Sequence, residues 1–214
     1  RVPGRPPLPI WSADGRRVYL TASDHGMTHL YAVDMESGAV TRLTDGDVVI
    51  FGYDVAPEAG KVVMAVATPE NPNELYAADL TAAAPLPLQR LTTVNAELLS
   101  QRIISLPERF QFAAPGGPSV DGWVIKPVGF EPGKKYPAVL QIHGGPMAMY
   151  NSGFFFEFQL LAAAGIGVIY TNPRGSQGYG EDFCGGIRGD WGKNDYADLM
   201  AGVEAALARF AWID

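Results

Sequence analysis

The sequence of 214 residues predicts a two-part fold, with β-propeller blades first and an α/β domain with a parallel sheet and flanking helices second. The blades are predicted by a strand-rich repeat of about 45 residues, a length typical of one blade. The second domain is predicted by a later order of buried strand, helix and buried strand, which indicates a right-handed parallel crossover. We assign residues 1–98 to the last blades of a propeller and residues 99–214 to the N-terminal part of the α/β domain.

The repeat consists of three pairs of similar segments, two at an offset of 45 residues and one at 48: 15–23 with 60–68, 30–34 with 75–79, and 42–44 with 90–92. Each copy is predicted to form strand, turn, strand, turn and strand, because turn-forming residues separate the apolar runs. Two blades bury their faces only against neighbours. We therefore expect the remainder of the same protein as a partner, and we expect residues 1–214 alone not to fold stably.

Two histidines in the first copy, His25 and His29, lie four residues apart beside Asp24. On a helix this spacing is compatible with a metal pair. Here the residues fall on a turn that leads into a strand, so we interpret them as a solvated turn and predict no metal site.

Composition excludes several classes of function. The formal net charge of −7 argues against a nucleic-acid or anionic-membrane binder, since both need a basic face. No apolar run is long enough to span a bilayer, and residues 1–7 lack the apolar core of a signal peptide. The single cysteine, Cys184, excludes an internal disulfide, fits a reducing compartment and is interpreted as an inert thiol. We expect a cytoplasmic protein.

The α/β domain is predicted to contain five regular elements: a hairpin of 111–113 and 122–126, a strand at 138–142, a helix at 157–164, a strand at 166–170, and a helix from Asn194 to about Phe210. Asn194 is the predicted N-cap of the last helix. The helix is predicted to bury one apolar stripe, formed by Leu199, Val203, Ala206, Leu207 and Phe210. Residues 212–214 follow where the next parallel strand should begin.

The strand at 138–142 runs directly into the turn His143-Gly144-Gly145-Pro146. Glycine has no Cβ, so its amide can approach a ligand closely, and Pro146 stiffens the exit of the turn. A His-Gly-Gly turn at this position is one way to build an oxyanion hole in an α/β-hydrolase. The alternative is a tight turn at a strand end, and we favour the functional interpretation.

A glycine-rich loop at 172–180 follows the second strand and therefore lies on the binding side of such a sheet. Arg174 in this loop either binds a substrate carboxylate or pins the loop through an ion pair. Met147 and Tyr150, with Met149 and the aromatic run 154–156, either line an apolar substrate pocket or belong to the core or a subunit contact.

Together these segments resemble the prolyl oligopeptidase family of serine peptidases, and most closely its acylaminoacyl-peptidase-like branch. The propeller repeat and five segments carry the resemblance: 122–127, 136–146, 172–180, 195–198 and 212–214. The resemblance implies an α/β-hydrolase that uses a Ser-Asp-His triad to cleave short peptides, without a cofactor, as a homo-oligomer. It also implies that the Gly145 amide donates to the oxyanion and that Gly144 shapes the turn.

The sequence departs from the family pattern at the nucleophile. No Gly-x-Ser-x-Gly elbow occurs, and the nearest segment, 174–178, has arginine in place of the first glycine. We interpret Ser176 as a loop residue and His143 as a structural residue, because the triad of the family lies further along the chain. We therefore expect this segment alone to be inactive. The alternatives to a serine peptidase are an esterase on the same scaffold and a non-catalytic, propeller-based binding protein.

Overall fold

The computed structural model describes residues 8–214, so the N-terminal segment 1–7, for which the sequence predicts no signal peptide, lies outside the described residues. The chain divides into two compact units. The first contains the residues up to Gln101 together with Ser152–Phe154, and the second contains Arg102–Asn151 and Phe155–Asp214. The assignment of 1–98 and 99–214 to a propeller and a hydrolase domain stays a prediction.

The described part of the first unit contains one sheet built from two antiparallel meanders. The first meander has strands β1 Ile10–Trp11, β2 Arg17–Asp24, β3 Met27–Asp34 and β4 Val40–Arg42, and the second has β5 Val49–Ala56, β6 Lys61–Ala67, β7 Glu74–Asp79 and β8 Gln89–Arg90. A 3-10 turn at Pro57–Ala59 lies between β5 and β6, and the short helix α1, Ala96–Ser100, follows β8. The three strands predicted for each copy are observed as β2–β4 and β6–β8, and one further strand, β1 or β5, precedes each copy.

The core of the first unit follows the period of two that a half-buried strand requires. On β6, Val62 and Met64 are fully buried and Val66 is 2% exposed, whereas the intervening Lys61 and Val63 face outward. In the described residues, the strand pairing between the two meanders consists of one parallel pair, Thr28 with Val49. Their closure into a propeller stays a prediction.

The repeat extends to a polar contact between a threonine hydroxyl and a backbone amide. Thr44 in the first copy accepts a hydrogen bond from the Leu30 amide at 3.1 Å, and Thr92 in the second accepts one from the Leu75 amide at 2.9 Å. Each threonine hydroxyl thereby bonds the third strand of its own meander: Thr44 bonds β3 and Thr92 bonds β7. The same device in both copies supports the interpretation of the two segments as structural repeats.

The interpretation of His29 as part of a solvated turn was wrong. His29 is 1% exposed, its Nδ1 lies 3.1 Å from Thr44 Oγ1, and burial lowers the pKa of its imidazole. Only His25 lies in the exposed turn, where its φ is +49°. Among residues 8–214 no three His, Cys, Asp or Glu side chains cluster as metal ligands.

Glu74 occupies the place of His29 in the second copy and is 2% exposed. Burial opposes its charged form, but hydrogen bonds from the Thr92 hydroxyl and the Asn95 amide and the contact with Arg90 outweigh this effect. The pKa of Glu74 is therefore lowered to about 2. A group with a lowered pKa stabilises the fold above its unfolded-state pKa and loses that contribution as the pH falls.

We expect Glu74→Gln to lower the midpoint of thermal unfolding at neutral pH in the full-length protein that contains this chain. The difference from wild type should shrink as the pH falls from about 4.5 towards about 2, where Glu74 gains its proton in the folded state. Thermal unfolding at several pH values measures this, and Glu70→Gln, at an exposed acid of the same unit, is the control. A difference that is independent of pH would contradict the assignment.

The second unit contains a four-stranded sheet in the order β11-β12-β10-β9. Its strands and helices are β9 Pro107–Ala113, β10 Ser119–Ile125, β11 Ala138–Gln141, α2 Phe156–Ala163, β12 Gly167–Thr171, α3 Glu181–Gly185 and α4 Asn194–Arg209. β9 and β10 form the predicted antiparallel hairpin, and β11, α2 and β12 form the predicted parallel crossover. Ile213 makes an isolated parallel bridge with Tyr136, which continues the sheet beyond β11.

The last helix, α4, differs from its prediction in two respects. Its buried face comprises Asp198, Leu199, Gly202 and Ala206, whereas Leu207 of the predicted stripe is 46% exposed. Gly202 replaces a larger apolar residue because a Cβ there would lie 2.8 Å from the Phe112 ring, so α4 packs closely on β9. Asn194 is the first helical residue, and the cap position before it is Lys193, without a side-chain cap.

No helix in the described part of the chain is both long and apolar enough for a membrane span.

Candidate active site

The turn after β11 has a backbone that only glycine adopts easily. Gly145 has a φ of +143°, and a Cβ there would lie 2.9 Å from the amide nitrogens of both Met147 and Ala148. Gly144, in contrast, has no neighbouring atom within 4 Å of a Cβ. The Gly145–Pro146 peptide bond is cis. The sequence therefore needs glycine at 145 for a conformational reason.

The amides of this turn are directed away from the protein's own acceptors. Both Gly144 and Gly145 are exposed, and within residues 8–214 neither N–H donates to a protein acceptor. The turn lies at the carboxyl end of a parallel strand, where open α/β sheets bind ligands. An unoccupied backbone donor there can stabilise negative charge on a substrate oxygen. The role of Gly145 as this donor stays a prediction.

His143 begins the turn and is held by the loop. Its Nδ1 lies 3.1 Å from the Gly144 carbonyl oxygen and its Nε2 lies 3.0 Å from Ser176 Oγ. Burial lowers the pKa of the imidazole, against the opposing effect of its contacts with Gly144 and Asn172, so His143 is neutral at neutral pH. These contacts agree with a structural role. Ser176 is fully buried and its hydroxyl donates to the Pro173 carbonyl, which agrees with its interpretation as a loop residue.

The loop 172–180 is pinned to α4 by a buried ion pair. Asp198 is fully buried and accepts from Arg174 Nη2 at 2.6 Å, from Arg174 Nε at 2.9 Å and from the Arg174 amide at 2.9 Å. The hydrogen bonds with Asp198 raise the pKa of Arg174. This ion pair agrees with the predicted role of Arg174 in pinning the loop, and its role in binding a substrate carboxylate stays a prediction. Asp198 was not among the predicted site residues, although its position beside Leu199 in the predicted helix was a signal for it.

The two other predicted substrate-binding residues, Met147 and Tyr150, lie in different surroundings. Met147 is 70% exposed and borders a cleft of about 750 Å³ next to Gly145. The cleft is further lined by Pro146, Glu181, Cys184, Gly185, Ile187, Arg188, Gly189 and Trp191. Tyr150 instead packs its ring against Phe155, Phe158 and Tyr170, with centroid distances of 5.6, 5.5 and 5.4 Å. The role of Met147 and Tyr150 in binding a substrate stays a prediction.

The comparison with protein families gives one match. Residues 152–214 match the model of the prolyl oligopeptidase family. The chain is 38% identical over 206 residues to the uncharacterized peptidase YuxL of Bacillus subtilis, which covers 96% of this chain and 31% of that protein. It is 30% identical to dipeptidyl-peptidase 4 of Giardia intestinalis over 86% of this chain and 26% of that protein.

Solved structures give the same family. Acylaminoacyl peptidase from Pyrococcus horikoshii superposes with a TM-score of 0.81 at 32% identity, over 92% of this chain and 30% of that one. An acylaminoacyl peptidase in complex with Z-Gly-Gly-Phe-chloromethyl ketone superposes with a TM-score of 0.80 at 31% identity, over 93% of this chain and 30% of that one. This chain thus spans less than a third of the length of these relatives. The family match over residues 152–214, the sequence matches and the shared fold show that this chain is similar to the prolyl oligopeptidase family.

Proposed function

We propose that the protein containing this chain is a serine peptidase that cleaves short peptides through an acyl-enzyme. In this proposal, residues 1–214 supply the oxyanion turn, and the nucleophile, base and orienting acid lie elsewhere in the protein. The observation that carries the proposal is the exposed amide of Gly145, free of protein acceptors, at the carboxyl end of β11. Similarity to the family and the peptide-like ligand of a related structure support it.

The chemistry needs a donor that is in place before the reaction begins. When a nucleophile attacks a peptide carbonyl, the carbonyl oxygen gains negative charge, and a preorganised N–H stabilises this charge more than the neutral ground state. The Gly145 N–H fills this role in the proposal, with Gly144 shaping the turn. The second donor is the amide that follows the nucleophile in an α/β-hydrolase.

In this proposal, the peptide binds in the cleft beside Gly145. We propose that Met147, exposed at the border of this cleft, contacts an apolar side chain of the peptide. Arg174 and Tyr150 are committed to Asp198 and to the aromatic cluster, so we assign them to holding the site rather than to touching the substrate. The two meanders are proposed to be propeller blades that admit only short peptides. Assembly as a homo-oligomer and a cytoplasmic location complete the proposal.

The full-length protein tests this proposal through labelling with a fluorophosphonate, followed by intact mass measurement. A panel of acylated peptides, free dipeptidyl substrates, peptides cleaved at the C-terminus and a simple ester accompanies the labelling. We expect one label on each chain and cleavage of at least one peptide class. Hydrolysis of the ester alone would replace the peptidase with an esterase. No label and no hydrolysis would leave a non-catalytic binding protein.

A further inference from the structure

The segment that follows the turn 143–146 is held by the side chain of Asn172, which bonds both the N–H and the carbonyl of one residue, as a neighbouring strand would. The Tyr150 N–H donates to Asn172 Oδ1 at 2.8 Å, and Asn172 Nδ2 donates to the Tyr150 carbonyl at 2.9 Å. A third bond, from the Gln177 amide to the Ala148 carbonyl at 3.0 Å, joins the same two segments. The loop 172–180 therefore fixes the backbone within five residues of Gly145.

Asn172 is itself rigidly placed. It is fully buried, its backbone amide donates to the Asp121 carbonyl at 2.9 Å, and its Nδ2 also donates to the Tyr179 hydroxyl at 2.9 Å. Burial raises the pKa of the Tyr179 phenol, so this partner stays protonated. Both amide hydrogens and the amide oxygen of Asn172 are thereby used, and a buried amide whose bonds are all made fixes its neighbours in one geometry.

A second contact holds the turn at its N-terminal side, at His143. His143 Nε2 contacts Ser176 Oγ at 3.0 Å, and Ser176 in turn donates to the Pro173 carbonyl at 2.7 Å. The loop thus holds the chain before the two glycines through Ser176 and after them through Asn172. The Gly145 amide makes no hydrogen bond to the described protein, so its direction is set by the backbone of the turn, which these two contacts and the bond from the Ala148 amide to the Pro146 carbonyl hold in place.

We propose that Asn172 is a positioning residue for the reaction, which sets the direction of the Gly145 amide through the backbone of Tyr150. This inference rests on the proposed function. A misplacement of about 1 Å by a residue remote from the chemistry can cost about 100-fold in rate. Loss of the Asn172 amide should therefore affect the transition state, in which the oxyanion exists, and spare the binding of the uncharged ground state.

The test compares Asn172→Ala with wild type in the full-length protein, using a peptide substrate and a peptide boronate that mimics the tetrahedral intermediate. We expect kcat to fall by about 10- to 100-fold with KM within about twofold, and the affinity for the boronate to fall by the same factor as kcat. Tyr179→Phe removes only one bond to Asn172 and should give a smaller loss of the same kind. Asp182→Asn, at an exposed acid of α3, serves as the control.

Two outcomes would overturn the inference: a folded Asn172→Ala protein with unchanged kcat, or a change confined to KM. If Asn172→Ala fails to fold, Tyr179→Phe decides, because it removes a hydroxyl that Asn172 bonds and leaves the Asn172 amide in place: a lower kcat with unchanged KM supports the inference, and unchanged kcat overturns it. A wild-type protein without peptidase activity would refute the proposed function instead, so the two failures are distinguishable.

Discussion

Replacing Gly145 with alanine is expected to lower kcat for peptide hydrolysis by about 100- to 1,000-fold, with little change in KM. The reason is steric and local. The backbone at 145 has a φ of +143°, and the new methyl carbon would lie 2.9 Å from the amide nitrogens of Met147 and Ala148. Because both neighbours are backbone atoms, the turn has to move, and the Gly145 N–H moves with it. The measurement is steady-state kinetics on the full-length protein.

Gly144→Ala is the matched comparison, one position earlier in the same turn. A Cβ at 144 meets no atom within 4 Å, so a much smaller loss is expected there. Affinity for a peptide boronate should fall in Gly145→Ala by the same factor as kcat, since only the tetrahedral species carries the oxyanion. Equal losses in the two variants, or a loss in Gly145→Ala that appears only in KM, would remove Gly145 from the oxyanion hole.

The parts of the fold that the sequence predicted are those determined by short-range patterns. The strand predicted at 138–142 is observed at Ala138–Gln141, and the helix predicted at 157–164 is observed at Phe156–Ala163. Here a buried apolar run, a good helix-forming stretch and the glycine that ends it follow one another within a few residues. The location of the His-Gly-Gly turn was predictable for the same reason, because it follows the strand directly.

The parts that the sequence did not predict are buried polar residues, whose partners lie far along the chain. Asp198 lies near the N-terminus of α4, and its partner Arg174 is 24 residues earlier. Asn172 bonds Tyr150, 22 residues away, and His29 bonds Thr44, 15 residues away. A polar residue is buried only when its hydrogen bonds are made, and a local pattern does not show them.

The side chains that hold the candidate site in place were not predicted for the same reason. The glycine of the turn was identified from its own neighbours in the sequence, whereas the loop that holds the turn acts through Asn172 and Ser176. The sequence predicted that this loop lies on the binding side of the sheet, and it did not predict the side chains that join loop and turn. The residue proposed to act, Gly145, can therefore be identified from its neighbours in the sequence. The orientation of its amide depends on contacts with residues distant in the sequence.

Replacing Asp198 with alanine is expected to lower the free energy of unfolding by about 3–5 kcal/mol, because it leaves the Arg174 guanidinium without its buried partner. Asp198 is fully buried, and the Arg174 side chain is only 12% exposed. The Arg174 amide also loses its acceptor. Denaturant unfolding of the full-length protein measures the loss, and Glu204→Ala, at an exposed acid of the same helix, should change it by less than about 0.5 kcal/mol.

A double-mutant cycle separates the ion pair from the packing of α4. If the pair carries the loss, Arg174→Met should cost nearly as much alone, and the double variant Arg174→Met with Asp198→Ala should cost clearly less than the sum. Activity should fall in both single variants as well, because the loop that holds the oxyanion turn is anchored to α4 through this pair. Additive losses of stability would show that Asp198 and Arg174 contribute independently and that the ion pair does not hold the loop.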